Sequence, residues 1–331
     1  MKCPHCSNNH PRRKSGMRCS CGYLFVFDPQ SDTMRDGRMS SLINKVSANN
    51  TRFFTLNLLY GTVLRQAKIN KGCLIIAFVV SLLLIGIPFL ISSWNEVGDG
   101  IMPVFLGLLL LFFTGVAYLF QHFSKPMSFS DFSHVFKRWQ QYSTLKSDKF
   151  IDKTTLHNPP PKWNENDIYH YGVEKVIILD NDLSVDLWIK NNEHVNQKAL
   201  ILASSGYPNY LIGQLRTILA QQTDIEIFSL HGLRTTLHRE AMRFQKASDI
   251  NLENYNFIDL GFSKKQIQKS KLLNHTYRTQ NYDIPLDMLP YASGINMLAW
   301  ANHSFAQNQH SLSNGRRDFD VDVDFDDFDF G

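Results

Sequence analysis

The chain has 331 residues, 44% hydrophobic and 19% charged, which excludes collagen, low-complexity disorder and a disulfide-rich scaffold and leaves core material for more than one domain. Basic residues number 34 and acidic ones 30, but seven of the acids fall in the last fourteen positions; 34 basic against 23 acidic residues remain, a net +11, in the chain ahead of the tail. Four of the five cysteines lie in the first 21 residues as two tight pairs, which indicates a metal site in a reducing compartment instead of a disulfide framework. The opening Met1-Lys2-Cys3-Pro4 has no apolar run, so no cleavable signal peptide is expected.

Cys3-Pro-His-Cys6 and Cys19-Ser-Cys21 are separated by twelve residues that include Arg12, Arg13 and Lys14. Thiolates this close in sequence converge readily on a tetrahedral Zn²⁺, and Gly22 suits the backbone of a tight knuckle. His5 and His10 stand as alternative ligands. The pattern resembles a zinc ribbon over residues 1–30, with C-x-C where the second pair of a ribbon usually has C-x-x-C. Four protein ligands close the shell, so the ion is expected to be structural; the ribbon surface remains free to dock protein or nucleic acid.

Residues 31–70 continue as a helical segment. Met39, Leu42, Ile43 and Val46 have helical spacing, and Thr55 is placed to cap a second helix carrying Leu56, Leu58, Leu59 and Val63, an arrangement compatible with a winged-helix-like module or with an amphipathic lead-in to a membrane. Within 71–122, Cys73 to Trp94 and Ile101 to Phe120 are uncharged apolar runs of about 20 residues, each long enough to cross about 30 Å of hydrocarbon. The connector Asn95 to Gly100 is short, which predicts a two-helix transmembrane hairpin. Arg52, Arg65, Lys68 and Lys71 precede it and Lys125, Lys137 and Arg138 follow it, whereas the connector holds only Glu96 and Asp99. A cytoplasmic-membrane location with both termini in the cytosol is the expectation.

A linker and helical segment over 123–165, ending in the stiff Asn158-Pro-Pro-Pro-Lys162, leads into an α/β domain at 166–305. Val176–Leu179, Ala199–Leu202 and Ile225–Leu230 read as strands; Tyr210–Gln221 and Thr235–Gln245 read as helices. That alternation predicts a parallel sheet with right-handed crossovers and a ligand site at the carboxyl ends of the strands, where Asp180-Asn-Asp182, Ser204-Ser-Gly-Tyr-Pro208 and His231-Gly232 fall. Asn181-Asp182 also has hairpin-turn chemistry between Val176–Leu179 and a strand at Val185–Ile189, and this turn is the preferred reading of the segment.

Val173-Glu174-Lys175, Gly206-Tyr207-Pro208 and a strand ending some twenty residues later resemble the toprim domain of the topoisomerase VI A-subunit family; Asp259-Leu-Gly-Phe262 resembles a later segment of it. Upstream, Phe54 to Tyr60 resembles the stretch that carries that family's strand-cleaving tyrosine. The resemblance implies Glu174 as a general acid/base beside Mg²⁺-binding acids, but the third strand ends Leu230-His231-Gly232 without a carboxylate and Gly61 occupies the nucleophile's position. The domain therefore reads as degenerate and non-catalytic, acting in binding or scaffolding. The alternative is a metal-dependent phosphoesterase or nuclease using Glu174, Asp180 and Asp182 with Mg²⁺, since Asp180-Asn-Asp182 after a strand resembles the first motif of haloacid-dehalogenase-type phosphatases and Ser204 is placed to bind phosphate. His231 and His238, seven apart, are weighed as a shared helix face and set aside as solvated or packed side chains. The expected partners are the lipid bilayer, protein or nucleic acid on the basic cytosolic body, and the protein's own acidic tail, which at 306–331 is expected to be disordered in isolation.

Overall fold

The computed structural model describes residues 2–9, 16–28, 30–66, 115, 127–159, 172–222, 225–233, 235–252, 255–262, 284–289, 291, 294–296 and 298. The chain divides into two units, Met1–Val63 with Phe129–Gly331, and Leu64–Ser128. The four cysteines, the helical segment as far as Val63 and the parallel sheet fall within the first unit. The apolar runs at 73–94 and 101–120, Gly115 apart, lie outside the described residues, as do the acidic tail, Cys73, His10 and the Arg12-Arg13-Lys14 cluster. Among the described residues, no helix is long and apolar enough to cross a membrane.

The first unit opens on the cysteine knuckles, followed by α1 (Asp36–Val46), β1 (Phe54–Thr55) and α2 (Leu56–Gln66), which runs past Val63. Met39, Leu42 and Ile43 bury one face of α1. The backbone N–H of Leu58 donates to the Thr55 hydroxyl at 3.2 Å, so Thr55 caps α2 as its position suggested. After the second unit the chain re-enters as α3 (Phe129–Tyr142) and β2 (Phe150–Ile151), and β2 pairs in parallel with β1. Phe132, Phe136 and Trp139, spaced three to four apart, bury the inner face of α3.

A four-stranded parallel sheet forms the centre: β3 (Lys175–Leu179), β4 (Ala199–Ala203), β5 (Glu226–Leu230) and β6 (Asn256–Asp259), in the spatial order β4-β3-β5-β6. Every residue of β3 and β4 is buried, as expected of parallel strands covered on both faces. The crossovers are α4 (Asp182–Lys190) with the short α5 (Glu193–Asn196), then α6 (Leu211–Gln221), then α7 (Leu237–Ser248). On one face Val176, Ile178, Leu200, Leu202 and Ile227 meet Leu211, Leu215, Ile218 and Leu219 of α6 and Phe244 of α7. On the other, α4 packs against β3 and β4, the β1–β2 pair and a 3₁₀ turn at Leu286–Met288.

The helix α4 corrects the hairpin reading of Asn181-Asp182. Asp182–Lys190 is helical, so no strand stands at Val185–Ile189 for a two-residue turn to join, and the segment is instead part of the crossover between the parallel β3 and β4. Asn181 caps that crossover, its side-chain oxygen accepting from the Ser184 N–H at 2.8 Å. Val185, Leu187 and Ile189 alternate with Asp186 and Trp188 as a strand would, yet all five are buried on a helix enclosed from several sides.

Candidate functional site

Each cysteine pair sits on a tight backbone reversal. Around the first, Ser7 N–H donates to the Cys3 carbonyl at 2.9 Å and Cys3 N–H to the Asn8 carbonyl at 3.0 Å; around the second, Gly22 N–H donates to the Cys19 carbonyl at 2.9 Å and Cys19 N–H to the Tyr23 carbonyl at 2.8 Å. Gly22, at φ +91°, reverses the chain directly after Cys21, which is how a C-x-C pair forms a knuckle. The four Sγ atoms lie within 4.8 Å of one another, and Cys3–Cys21 and Cys6–Cys19 are each 3.7 Å apart. A Zn–S bond of about 2.3 Å gives a tetrahedral S···S edge of about 3.8 Å, so the donor set fits Zn²⁺. His5 is exposed and outside the cluster. The Cys21 backbone N–H lowers the Cys19 thiol to about 6, while at Cys21 the Tyr23 backbone N–H is outweighed by desolvation and the neighbouring thiols, which push it up to about 12, so the cluster by itself favours ionisation at Cys19.

The four-cysteine segment is fastened to the helices behind it by Asp36. This carboxylate, only 3% exposed, accepts from Tyr23 Oη at 2.8 Å, Val26 N at 2.8 Å and Phe27 N at 2.9 Å. Phe27 stacks on Trp139 of α3 at 5.9 Å, and Arg138 lies 4.9 Å above the Phe27 ring while pairing with Asp32 at 2.7 Å.

The second site lies at the carboxyl ends of the strands. The chain leaves β3 toward β4 on one side and later returns to β5 on the other, so the crevice between β3 and β5 is a topological switch point. A cavity of about 690 Å³ opens there, lined by Asp180, Asn181 and Asp182 after β3, by Thr235, Arg239, Glu240 and Arg243 around the start of α7, and by Asn57 of α2. In register, Leu179 sits beside Ala203 and Leu230, which brings Asp180 level with Ser204 and His231.

Asp180 is held chiefly by backbone. Its Oδ2 accepts from Gly232 N and Leu286 N, both at 3.0 Å, and its Oδ1 from Asn181 Nδ2 at 2.8 Å. A side chain at Gly232 would bring its Cβ within 2.1 Å of the Ile284 carbonyl oxygen, so only glycine lets the loop after β5 meet the 284–286 segment over this carboxylate. Burial raises the Asp180 pKa above the usual carboxylate range, with the nearby Glu240 charge adding to it. Asp287 accepts from Thr55 Oγ1 at 3.0 Å and from Asn57 Nδ2 at 3.1 Å; burial, then the charge of Asp180, push its pKa up to about 6. Glu240, 3% exposed, accepts from Thr235 Oγ1 at 2.6 Å through Oε1, while its Oε2 has no partner among the described residues.

His231 is buried behind Asp180. Its Nδ1 lies 2.9 Å from the Gly232 carbonyl oxygen and its Nε2 3.0 Å from Asp259 Oδ1, two acceptors that favour an imidazolium. Burial opposes that charge, but the Asp259 carboxylate beside Nε2 outweighs it and raises the His231 pKa. His238, on the exposed side of α7, does not share this environment.

The three acids of the phosphoesterase reading do not converge. Asp180 and Asp182 flank the crevice, with Asp182 accepting from the Ser205 hydroxyl. Glu174 precedes β3 at the opposite end of the sheet, six residues or about 20 Å away, where it is exposed and pairs with Lys198 at 2.6 Å. Tyr60 is fully buried against Phe129 and Phe132 and presents no nucleophile to solvent. Ser204 is likewise fully buried. In the Gly206-Tyr207-Pro208 turn, Tyr207 donates to Asp186 Oδ1 at 2.5 Å and accepts from Leu156 N at 2.6 Å, a packing role; Asp186 also accepts from the Thr155 N–H and hydroxyl, both at 2.7 Å.

Sequence reasoning missed Asp287 and Glu240, which belong to no local motif, and named Asp259 only as the start of a resembling segment and not as the partner of His231. Comparison with models of known families, with curated proteins and with solved structures finds no match.

Proposed function

We propose that this protein is a two-pass membrane protein whose structural zinc ribbon and degenerate, toprim-like α/β domain both face the cytosol, and that the α/β domain acts by binding, as a scaffold, and not by phosphoester hydrolysis. The observation that carries the choice is the separation of about 20 Å along β3 between Glu174 and the Asp180/Asp182 pair. Acids that far apart cannot share a Mg²⁺ ion at a reacting phosphate. The hydrogen bonds that occupy Asp180 and the ion pair that occupies Glu174 support the same reading. Among the described residues, the four cysteines are the one group able to hold a metal ion.

The membrane assignment rests on the two uncharged runs and their basic flanks. An anionic partner, nucleic acid, acidic protein or the protein's own −7 tail, suits a body of net +11. Lys149 and Lys190 flank Phe53, with their ammonium groups 4.6 and 5.6 Å from the ring centroid, and form one basic, aromatic surface of the kind such a partner needs.

The test uses the full-length protein in nanodiscs with Mg²⁺ or Mn²⁺. No hydrolysis of phosphomonoesters and no DNA cleavage is expected; turnover abolished by Glu174→Gln or Asp180→Asn would restore the enzyme reading. Reporters at the N-terminus, near Asp148 and at the C-terminus should all give cytosolic signals, with a non-cytosolic signal at Val97. A non-cytosolic C-terminus would overturn the hairpin.

A further inference from the structure

We infer that the acidic tail, residues 318–331, docks back on the protein's own surface, over the basic, aromatic patch formed by Arg52, Phe53, Lys149 and Lys190. The inference rests on the reading of this protein as a binding module with an anionic partner, and it names that partner as a segment of the same chain. Three observations meet at the patch: how it is built, which part of the chain lies beside it, and what the tail offers.

The patch is fixed by backbone. β1 and β2 pair with Phe54 beside Phe150, and the Phe54 N–H donates to the Lys149 carbonyl at 3.0 Å, which sets Phe53 and Lys149 side by side just ahead of the pair. Asn191, directly after Lys190 at the end of α4, clamps the Phe53 backbone: its Oδ1 accepts from the Phe53 N–H at 2.8 Å and its Nδ2 donates to the Phe53 carbonyl at 3.1 Å. Both ammonium groups are thereby held at one ring, 4.6 and 5.6 Å from its centroid, with Phe53, Lys149 and Lys190 half-buried and Arg52 exposed. Among the described residues, no carboxylate forms an ion pair with any of these three cations. The acids nearest in sequence are engaged elsewhere: Asp148 accepts from Asn50 Nδ2 at 2.8 Å, and Glu193 is buried with the amides of Asn196 and Gln197 at 3.4 Å. Three like charges without an ion-paired counter-charge attract an anion.

The last described segment of chain lies beside the same corner. Tyr291 packs edge-on against Trp188 of α4 with ring centroids 6.2 Å apart, and a Cβ at Gly294 would stand 2.9 Å from the Trp188 ring. The Tyr291 hydroxyl feels the charges of Glu193 and Arg52, which places this segment next to the patch, and Leu298 after it is fully buried. About twenty residues then separate Leu298 from Asp318, enough to span about 70 Å when extended, and a tether of that length holds its end at an effective concentration in about the millimolar range.

The tail supplies what the patch lacks. Its seven aspartates are interleaved with Phe319, Val321, Val323, Phe325, Phe328 and Phe330, whereas the chain ahead of it carries a net +11. Bound as an extended segment, a period-two pattern turns carboxylates spaced about 7 Å apart to one side and apolar groups to the other. The carboxylates meet Arg52, Lys149 and Lys190, and the phenylalanines meet the Phe53 ring and the lysine stems around it.

The experiment titrates a synthetic peptide of residues 318–331 into the zinc-loaded protein, one chain per phosphatidylcholine nanodisc, comparing the full chain with a form ending at Arg317. The shortened form should bind one peptide with an affinity that falls as salt rises, and the full chain, its patch already occupied, should bind the peptide at least tenfold more weakly. Lys149→Gln with Lys190→Gln should weaken binding to the shortened form at least tenfold. Arg239→Gln with Arg243→Gln, an equal loss of charge on the exposed side of α7, should change it less than twofold. A peptide with its four phenylalanines replaced by alanine should bind at least threefold more weakly. Carbodiimide coupling of the unsubstituted full chain, read by mass spectrometry, should join tail aspartates to Lys149 or Lys190, a result that depends on no variant. No saturable binding, binding indifferent to the lysine pair or to the phenylalanines, equal losses from both charge pairs, a full chain that takes up peptide as readily as the shortened form, or coupling of the tail only to other lysines would overturn the inference. Phosphoester hydrolysis by the same protein would contradict the binding-only reading and leave the docked tail standing, so the two failures are distinguishable.

Discussion

Asp287 is the buried carboxyl whose removal has the clearest sign. Its pKa rises from 3.8 to about 6 because burial and the neighbouring Asp180 disfavour its ionised form. A folded-state pKa above the unfolded one means stability that is fully present below pH 3.8 and lost as pH rises through about 6. The shift corresponds to about 3 kcal/mol at neutral pH, of which roughly half accrues between pH 5 and 8. Asp287→Asn removes the charge and keeps the geometry: the amide oxygen accepts from Asn57, and the amide nitrogen donates to Thr55 Oγ1. The variant should therefore be more stable than wild type at pH 8, with an advantage that shrinks by about 1.4 kcal/mol at pH 5. Pulse proteolysis of both proteins across that range, with zinc present throughout, measures the difference and cancels any common effect of pH on the thiolates. A stability difference that does not change with pH would refute the reasoning.

Asp36→Ala strips the acceptor from one phenol and two backbone N–H groups and should destabilise the ribbon by about 3 kcal/mol, seen as faster proteolysis of residues 1–30. Glu174→Gln breaks only an exposed pair with Lys198 and should change stability by less than about 1 kcal/mol in denaturant unfolding. Tyr207→Phe leaves Asp186 and Leu156 N without their phenol partner and should cost about 1–2 kcal/mol in denaturant unfolding; an unchanged midpoint would contradict the packing role.

The four-cysteine cluster was legible because thiol spacing alone confines four sulfurs to a small volume, and Cys3, Cys6, Cys19 and Cys21 do converge. The strands β3, β4 and β5 were legible as short apolar runs because parallel strands are buried on both faces. The same burial hid α4: a helix enclosed on several sides loses its polar stripe, and the alternation from Val185 to Ile189 then resembles a strand. Ile258 and its neighbours in β6 form too short a run to stand out. The site's other acids were hidden for a different reason. Asp287 meets Thr55 and Asn57 across about 230 positions of sequence, and Asp180 meets Leu286 across 106, separations at which no local pattern operates. Glu174 shows the converse, a motif residue at a familiar spacing whose place before the strand sets it at the wrong end of the sheet.

Zinc-edge X-ray absorption on the purified full-length protein, combined with elemental analysis, tests most directly the claim that a closed four-thiolate zinc site anchors this architecture. One zinc per chain with four sulfur neighbours at about 2.3 Å is the predicted result, abolished by Cys3→Ser with Cys19→Ser. A zinc-free protein, a shell containing nitrogen from His5 or His10, or zinc retained in the double variant would contradict it.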